Sequence, residues 1–142
     1  MNIDKILRNL NPEQEKAVKT INGPVLVFAG AGTGKTRVIT HRIAFMIYKG
    51  INPLNIAAMT FTNKAAKEMR ERLFTLIPQK DAKDVFLGTF HSYCARLLRK
   101  EIELLGWRKD FTIADDSDQL SIVKQAIAEL DLKEELNPGE TL

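Results

Sequence analysis

The sequence predicts an α/β fold in which a parallel sheet is flanked by helices. Three nearly continuous apolar runs cover residues 25–29, 56–61 and 85–90, and a segment with helical periodicity follows each of them. Such runs are typical of strands that are buried on both faces of a parallel sheet. Strands that alternate with helices in this way favour right-handed βαβ units. The chain of 142 residues is long enough for one compact domain, or for a domain and part of another.

The residues between the apolar runs suit the ends of helices. Ahead of the first run, Asn11 can cap a short helix, and Pro12 suits the first position of that helix. The three helices that follow the runs are predicted to end near Gly50, Pro78 and Gly106. The predicted order is therefore one short helix, three strand–helix pairs and a further helix near the C-terminus.

Composition favours a soluble, cytoplasmic protein. Hydrophobic residues make up 44% of the chain and charged residues 27%, which is ordinary for a globular protein. No apolar run reaches the roughly 18 residues that span a bilayer, and the charged N-terminus lacks the apolar region of a signal peptide. The single cysteine, Cys94, cannot form an intramolecular disulfide, which fits a reducing compartment. We therefore expect no membrane partner.

Charge is distributed unevenly along the chain. Residues 1–109 contain 19 Lys and Arg against 9 Asp and Glu, a net charge of +10, whereas residues 110–142 contain 2 against 9, a net charge of −7. A basic region of this kind can attract the phosphate backbone of a nucleic acid. The alternative is that the two charges belong to two solvated surfaces of different sign.

A glycine-rich segment between the first apolar run and the first long helix has the pattern of a phosphate-binding P-loop. It reads AGAGTGKT and comprises Ala29, Gly30, Ala31, Gly32, Thr33, Gly34, Lys35 and Thr36. Glycines let backbone N–H groups turn towards phosphate oxygens, while Lys35 can contact the β- and γ-phosphates and the Thr36 hydroxyl can bind Mg²⁺. The first glycine of the pattern is replaced by Ala29, a slot that tolerates a methyl group. The alternative is a glycine-rich turn without a ligand.

Two adjacent acids could supply the carboxylate that a nucleotide-hydrolysing site needs. Asp115 and Asp116 end the segment FTIADD at 111–116. The residues before them alternate in polarity and do not form a solid apolar strand, so the sequence favours an N-cap for the next helix over a metal-binding role.

Four motifs in fixed order go beyond a generic P-loop. They are LNPEQEKAV at 10–18, AGAGTGKT at 29–36, TFTNKAAKEM at 60–69 and GTFHS at 88–92. Together they resemble the N-terminal part of UvrD/Rep-type superfamily 1 DNA helicases. The resemblance implies a RecA-like P-loop NTPase sheet that is incomplete and is followed by a helical segment. It assigns 1–91 to the first part of domain 1A and 92–142 to the start of subdomain 1B.

The resemblance also implies two further nucleotide contacts. Gln14 matches a glutamine that reads the adenine base, and a side-chain amide suits adenine because it offers a donor and an acceptor side by side. From the residues alone, Gln14 could equally close a capping box on Asn11. Arg37 matches an arginine close to the nucleotide, and its alternative is a solvent-facing helix residue.

A set of residues at the ends of the second and third runs is implied to contact single-stranded DNA. These residues are Thr60, Phe61, Thr62, Asn63, Thr89 and His91. Ligands of open α/β sheets bind at the carboxyl ends of the strands, where an exposed Phe61 could stack on a base. The alternative for Phe61 and Phe90 is filling of the core, which the sequence favours more for Phe90. Lys64, Lys67, Arg70 and Arg72 could extend the DNA track or solvate a helix.

The function implied by the resemblance is an ATP-dependent 3′-to-5′ DNA helicase that uses ATP and Mg²⁺ and takes part in DNA repair. Its partners would be single-stranded DNA and duplex junctions, and the rest of the helicase chain would complete the fold. The family's Walker B acids and arginine fingers have no counterpart here, so we expect this chain alone to hydrolyse little ATP even with Lys35 and Thr36. The alternatives are a stand-alone nucleotide-binding module and a small kinase that uses Asp115 and Asp116.

Overall fold

A computed structural model describes residues 1–130 of the chain. The described residues form seven α-helices, two β-strands and two short 3-10 helices. The α-helices are α1 (Ile3–Leu7), α2 (Pro12–Lys19), α3 (Lys35–Tyr48), α4 (Asn63–Leu76), α5 (Gln79–Asp84), α6 (Phe90–Glu101) and α7 (Asp116–Glu129). The strands are β1 (Ala57–Thr60) and β2 (Phe86–Thr89), and the 3-10 helices are Pro53–Asn55 and Ile102–Leu105.

The chain divides into two compact units. The first is Met1–Leu97, which contains the sheet, the helices α1 to α5 and most of α6. The second begins at Leu98, and its described part contains the end of α6, a 3-10 helix and α7. The division into 1–91 and 92–142 that the resemblance implies stays a prediction.

The sheet of the first unit is a parallel pair. Ala57 lies opposite Phe86, and the register continues to Thr60, which lies opposite Thr89 at the carboxyl ends of both strands. Helix α4 connects the strands, together with the short α5, and packs against both of them. The prediction that the second and third apolar runs form neighbouring parallel strands is therefore confirmed.

The first apolar run does not form a strand among the described residues. Residues 24–30 have no regular secondary structure, and the sheet contains only β1 and β2. Leu26 is 78% exposed and Phe28 is 91% exposed. A strand is held by hydrogen bonds to a neighbouring strand, and β1 and β2 bond to each other. The prediction of a third strand at 25–29 is thus wrong for this part of the chain, because its sequence is strand-like but has no ladder partner there.

The helix ends follow local sequence signals closely. Asn11 caps α2 and forms a capping box with Gln14, and Pro12 occupies the first turn. The helices α3, α4 and α6 are confirmed, although α6 tightens into a 3-10 helix after Glu101 and before Gly106. Helices α1 and α5 were not predicted because they span only 5 and 6 residues, too few for a helical period to show in the sequence. No helix of residues 1–130 combines the length and the apolar character needed to cross a membrane.

The core of the first unit lies between the helices and the sheet. Its most completely buried large side chains are Ile6, Val18, Leu73 and Val85, which come from α1, α2, α4 and the approach to β2. Thr40 of α3 is a buried polar residue, and its hydroxyl donates to the backbone carbonyls of the preceding turn. Because α1 and α2 bury a residue each in this core, the N-terminus belongs to the same packed unit as the sheet.

Replacing Leu73 with alanine tests the role of α4 in this core. Leu73 is fully buried, so Leu73→Ala is expected to lower the free energy of unfolding by about 2–5 kcal/mol. The matched control is Leu54→Ala, because Leu54 is 70% exposed and its loss should change stability by less than about 0.5 kcal/mol. Urea denaturation measures both. Equal shifts in the two variants would contradict the packing described here.

Candidate nucleotide and nucleic-acid site

The glycine-rich loop leads directly into α3. Gly34 caps the helix in a left-handed conformation, with φ of 90°, which glycine adopts far more readily than other residues. A Cβ atom at Gly34 would also lie 3.1 Å from Nε2 of Gln14. Glycine is therefore favoured at this position, by its backbone conformation first and by the close approach of Gln14 second.

Lys35 and Thr36 form the first turn of α3. The Lys35 ammonium donates to the backbone carbonyls of Ala29, at 3.0 Å, and Gly30, at 2.7 Å. The Thr33 hydroxyl donates to the same Gly30 carbonyl at 2.8 Å. The first N–H groups of a helix have no acceptor within it, and they carry the positive end of the helix dipole. The loop thus brings a cation, a hydroxyl and free N–H groups to one place, which is the chemistry of a phosphate site.

Gln14 connects α2 to the loop through its side-chain amide. Oε1 accepts from the backbone N–H of Asn11 at 3.1 Å, while the Asn11 side chain accepts from the Gln14 backbone at 2.8 Å. Nε2 donates to the Thr33 carbonyl at 3.0 Å. A neutral amide has two donor hydrogens and two acceptor lone pairs. One hydrogen and one lone pair therefore remain, so the capping box and adenine recognition are compatible.

A cavity of about 260 Å³ lies between α2 and the loop. Its polar wall includes Gln14, Thr33 and Lys35, and its apolar wall includes Val27 and Val38. Ligand sites commonly combine an apolar lining with a few convergent polar groups. The cavity therefore has the character expected for a nucleoside that is attached to a charged phosphate chain.

Arg37 is anchored near the start of α2. Its Nη1 donates to the Asn9 carbonyl at 3.2 Å. Asn9 has a positive φ of 62°, a conformation that asparagine tolerates better than most residues. Arg37 is exposed, but its guanidinium is hydrogen-bonded to the turn that precedes α2. The sequence alternative, a solvent-facing helix residue, did not include this contact.

The carboxyl ends of β1 and β2 place two aromatic rings side by side. Phe61 is 87% exposed and Phe90 is 45% exposed, and their ring centroids are 5.5 Å apart with a 50° angle between the planes. Filling of the core, the alternative for both residues, is therefore wrong, including for Phe90. Exposed aromatic rings at this edge are available to stack on bases.

The other predicted DNA contacts lie around these rings. Thr60 ends β1, Asn63 begins α4, and His91 is exposed in the first turn of α6. The Thr62 hydroxyl caps α4 by accepting from the Ala65 N–H at 3.1 Å. The buried Thr89 hydroxyl accepts from the Ser92 N–H at 3.1 Å. The structure thus brings all six residues to one edge of the sheet, with the hydroxyls of Thr62 and Thr89 already engaged in starting helices.

Gly88 allows α6 to start close against β2. A Cβ atom at this position would lie 2.6 Å from the Ser92 hydroxyl and 2.9 Å from the Phe86 ring. The Phe86 ring is held in turn by an edge contact with Tyr93, with centroids 5.2 Å apart. The small residue therefore fixes where the helix that carries Phe90 and His91 leaves the sheet.

Three of the four basic residues of α4 divide into two groups, and the fourth, Arg72, is exposed in the second half of the helix. Lys64 and Lys67 are exposed near the start of the helix, on the side of the candidate DNA edge. Arg70 instead donates to the backbone carbonyl of Leu87 at 2.7 Å and is partly buried. Arg70 therefore links α4 to β2. The sequence offered two alternatives for it, a DNA contact or a solvated helix residue, and this contact matches neither.

The acids at 115 and 116 start a helix. Residues 111–114 have no regular structure, and the Asp115 carboxylate accepts from the backbone N–H groups of Ser117 and Asp118, both at 2.9 Å. The Ser117 hydroxyl, followed by the Asp118 N–H, holds the pKa of Asp115 below its ordinary value of 3.8. The interpretation of Asp115 as an N-cap is confirmed. Within residues 1–130, no group of three or more His, Cys, Asp or Glu side chains could hold a metal ion.

Two polar residues of α3 that carried no functional prediction make specific contacts. His41 Nδ1 donates to the Ile6 carbonyl at 2.5 Å, and Arg42 Nη1 donates to the carbonyls of Ala17 and Thr20. The sequence signal was the presence of a histidine and an arginine within an otherwise apolar helical pattern. Periodicity could not reveal their partners, which are backbone groups 22 to 35 residues away in sequence.

Comparison with known proteins agrees with the order of the motifs. Residues 10–141 match a family model described as the UvrD/REP helicase N-terminal domain. The chain is 50% identical over 130 residues to the ATP-dependent DNA helicase PcrA of Bacillus subtilis. The matched residues make up 91% of this chain and 18% of that protein. It is 47% identical over 126 residues to PcrA of Staphylococcus epidermidis and of Staphylococcus aureus, covering 88% of this chain and 17% of each. The resemblance is confirmed, and the chain spans less than a fifth of the length of these curated relatives.

The cap at Asp115 predicts how α7 responds to acid. Because the folded-state pKa lies below 3.8, the cap contributes stability above about pH 3.8, and this contribution is lost as the pH falls through the folded pKa. The backbone amide resonances of Ser117 and Asp118 should titrate with a midpoint below 3.8, and Asp115→Asn, which can still cap but does not ionise, should remove that step. Asp118→Asn is the control and should keep it. A midpoint at or above the ordinary value, measured by NMR, would contradict the prediction.

Proposed function

Because this chain belongs to the UvrD/REP helicase N-terminal domain family, we propose that it is the ATP-binding and single-stranded-DNA-contacting portion of an ATP-dependent 3′-to-5′ DNA helicase. The observation that carries the proposal is the junction of Gln14 with the P-loop at Thr33. It joins a group suited to a base to a loop suited to phosphates. The curated relatives bear the name ATP-dependent DNA helicase.

The triphosphate would be held by the P-loop and the start of α3. Lys35 lies against two loop carbonyls, and rotation of its side chain would carry the ammonium from these neutral acceptors to the β- and γ-phosphates. Such charge-assisted hydrogen bonds are about twice as strong as neutral ones. Free N–H groups of the first turn would bind the remaining oxygens. The Thr36 hydroxyl would be one ligand of the Mg²⁺ that accompanies ATP and neutralises part of its charge.

The adenine base would bind beside Gln14. The free lone pair of Oε1 can accept from the N6 amino group, and the free hydrogen of Nε2 can donate to N7. The other lone pair and hydrogen stay with Asn11 and Thr33. All four hydrogen-bonding positions of the amide would then be used, so a base without the N6 amino group would leave one of them unpaired. Arg37, held at Asn9, would lie next to the base.

Single-stranded DNA would cross the carboxyl edge of the sheet. Phe61 would stack on a base, and Asn63 and His91 would contact the backbone or base edges on either side. The hydroxyls of Thr62 and Thr89 would contribute mainly by fixing the helix starts from which these residues project, and Thr60 would contact the DNA from the end of β1. The net charge of +10 over residues 1–109 would attract the DNA, and binding would weaken as salt is added.

ATP hydrolysis and unwinding are proposed for a longer protein that contains this chain. Hydrolysis in P-loop motors also needs a carboxylate for the metal ion and an arginine that stabilises the transition state. The match to relatives of which this chain covers 17% to 18% supports such a protein. It would act in the cytoplasm on single strands and duplex junctions, in DNA repair. That the 142-residue chain alone hydrolyses little ATP stays a prediction.

Removal of the Lys35 ammonium tests the triphosphate site. Lys35→Ala is expected to weaken ATP binding at least tenfold, because a charge-assisted contact is worth about 1.5–3 kcal/mol. The matched control is Lys80→Ala, an exposed lysine of α5, which should leave affinity unchanged. Titration of a fluorescent ATP analogue measures all three proteins. Equal affinity of the parent chain and Lys35→Ala would overturn the proposed site.

Removal of the Phe61 ring tests the DNA edge. Phe61→Ala should weaken the binding of labelled oligothymidylate by about 1–3 kcal/mol with little change in salt dependence, because stacking involves no charge. Lys64→Ala should instead lower the slope of log affinity against log salt by about one. Fluorescence anisotropy across a salt series separates these effects.

The control for the ring is Leu54→Ala. Leu54 is an exposed apolar residue just before the amino end of β1, opposite the candidate DNA edge, and its loss should change neither affinity nor slope. Because Phe61 is 87% exposed, its removal should also leave the free energy of unfolding within about 0.5 kcal/mol of the parent value. A folded Phe61→Ala protein with undiminished DNA affinity would remove Phe61 from the track.

A further inference from the structure

Helix α3 holds the N-terminal helices by their backbone carbonyls. We call α1 and α2, with the turn between them, the N-terminal hairpin, Ile3–Leu7 to Pro12–Lys19. His41 donates to the Ile6 carbonyl in the last turn of α1. Arg42 donates to the Ala17 carbonyl in the last turn of α2 and to the carbonyl of Thr20, which caps that helix. Two successive residues of α3 thus form hydrogen bonds to the C-terminal ends of two different helices.

These carbonyls are favourable acceptors. The last C=O groups of a helix have no donor within it and carry the negative end of its dipole. The Nη1 group of Arg42 donates to two of them at once, and the planar guanidinium holds its donors in a fixed direction, which the flexible ammonium of a lysine does not. The carbonyl of Ile6 can only accept, so the His41 ring must carry its proton on Nδ1. Both contacts therefore depend on directed donors as well as on charge.

The hydrogen bonds from Arg42 to the C-terminal end of α2 also fix the position of Gln14 at the N-terminal end of that helix. Gln14 is in the first turn of α2, whose eight residues form a single short rod from Pro12 to Lys19. Arg42 lies two turns along α3 from Lys35, which begins the helix. Lys35, the group proposed for the phosphates, is thus part of α3 itself. Gln14, the group proposed for the base, is attached to α3 through α2 and Arg42.

Ala17 shows that the hydrogen bonds of Arg42 lie next to the candidate nucleotide cavity. Its carbonyl accepts from Arg42 at 2.6 Å, and its side chain lines the same cavity as Gln14 and Lys35. A shift of α2 along α3 would move the Gln14 amide relative to Thr33 and Lys35. Hydrogen bonds weaken steeply when distance or angle leaves a narrow range, so a small shift would reduce base recognition and leave the P-loop intact.

We propose that His41 and Arg42 are positioning residues for adenine recognition, acting through the N-terminal hairpin on Gln14. The inference rests on the proposed function, because it requires a triphosphate site at Lys35 and a base-reading amide at Gln14. It adds that selectivity for the base is set by residues of α3 that touch neither the base nor the phosphates. Loss of the hydrogen bonds of His41 or of Arg42 should therefore reduce discrimination between bases more than it reduces the binding of phosphates.

The experiment compares three probes on the full 142-residue chain. ATP carries the N6 amino group, ITP carries a carbonyl oxygen in its place, and inorganic tripolyphosphate carries no base. Competition against a fluorescent ATP analogue gives the affinity of each. The parent chain should prefer ATP to ITP by about tenfold, as expected when a polar group in the site loses its partner.

The variants separate positioning from general damage. Arg42→Met keeps the length of the stem and removes the donors, and His41→Leu removes the ring donor. Both should bring the ratio of ATP to ITP affinity close to one while tripolyphosphate affinity stays within about twofold of the parent value. His41→Asn places a side-chain N–H near the position of Nδ1 and should restore most of the ratio. Arg8→Met removes an exposed arginine at the end of α1 and is the matched control, with an unchanged ratio.

The outcomes distinguish this inference from the proposed function. Failure of the parent chain to bind tripolyphosphate or ATP overturns the proposed function, and the inference with it. Binding of the parent without preference for ATP over ITP overturns the inference alone. A preserved ratio in folded Arg42→Met and His41→Leu also overturns it, as does an equal loss of tripolyphosphate and ATP affinity. If Arg42→Met does not fold, Arg42→Lys, which keeps the charge but lacks the fixed, planar donors of the guanidinium, carries the same comparison.

Discussion

Gly34 is the constraint on which the candidate site depends. Its left-handed backbone turns the loop into α3 and sets the direction in which the first N–H groups of that helix point. The missing side chain leaves the space in which Gln14 reaches Thr33. One residue therefore aligns the phosphate-binding end of α3 with the hairpin that carries the base-reading amide. Any larger residue would strain the backbone and displace the amide at the same time.

Most of the fold and the location of the site could be predicted because their signals are local. The P-loop pattern, the cap at Asn11 and the cap at Asp115 are each set by a few consecutive residues. The pairing of β1 with β2 followed from the helical connection between the second and third apolar runs. The segment at 25–29 was mispredicted because a strand requires a partner that its own sequence does not specify. The partners of His41, Arg42 and Arg70 are backbone carbonyls, which every residue possesses, so no pattern of side chains could indicate them.

Arginine and lysine have different tasks in the first unit. Arg37, Arg42 and Arg70 each donate to a backbone carbonyl of another element, where a planar group with several donors fits best. The exposed lysines at 64 and 67 remain near the edge of the sheet, where a mobile charge can follow a phosphate backbone. These arginines keep their charge and still contribute to the attraction of DNA, but fewer of the region's cations are free to contact a phosphate directly.

The geometry of the two rings at the sheet edge limits how a strand could pass over it. A base held between two parallel rings would need about 7 Å, twice the roughly 3.4 Å between stacked bases. Phe61 and Phe90 are 5.5 Å apart and inclined by 50°, so they leave no slot between them, and a base could stack only on an outward face of one ring. A base stacked in this way would be held on one of its faces by the protein and could leave without the protein opening. A surface of this kind favours repeated, brief contacts with successive nucleotides over a long-lived grip on any one of them.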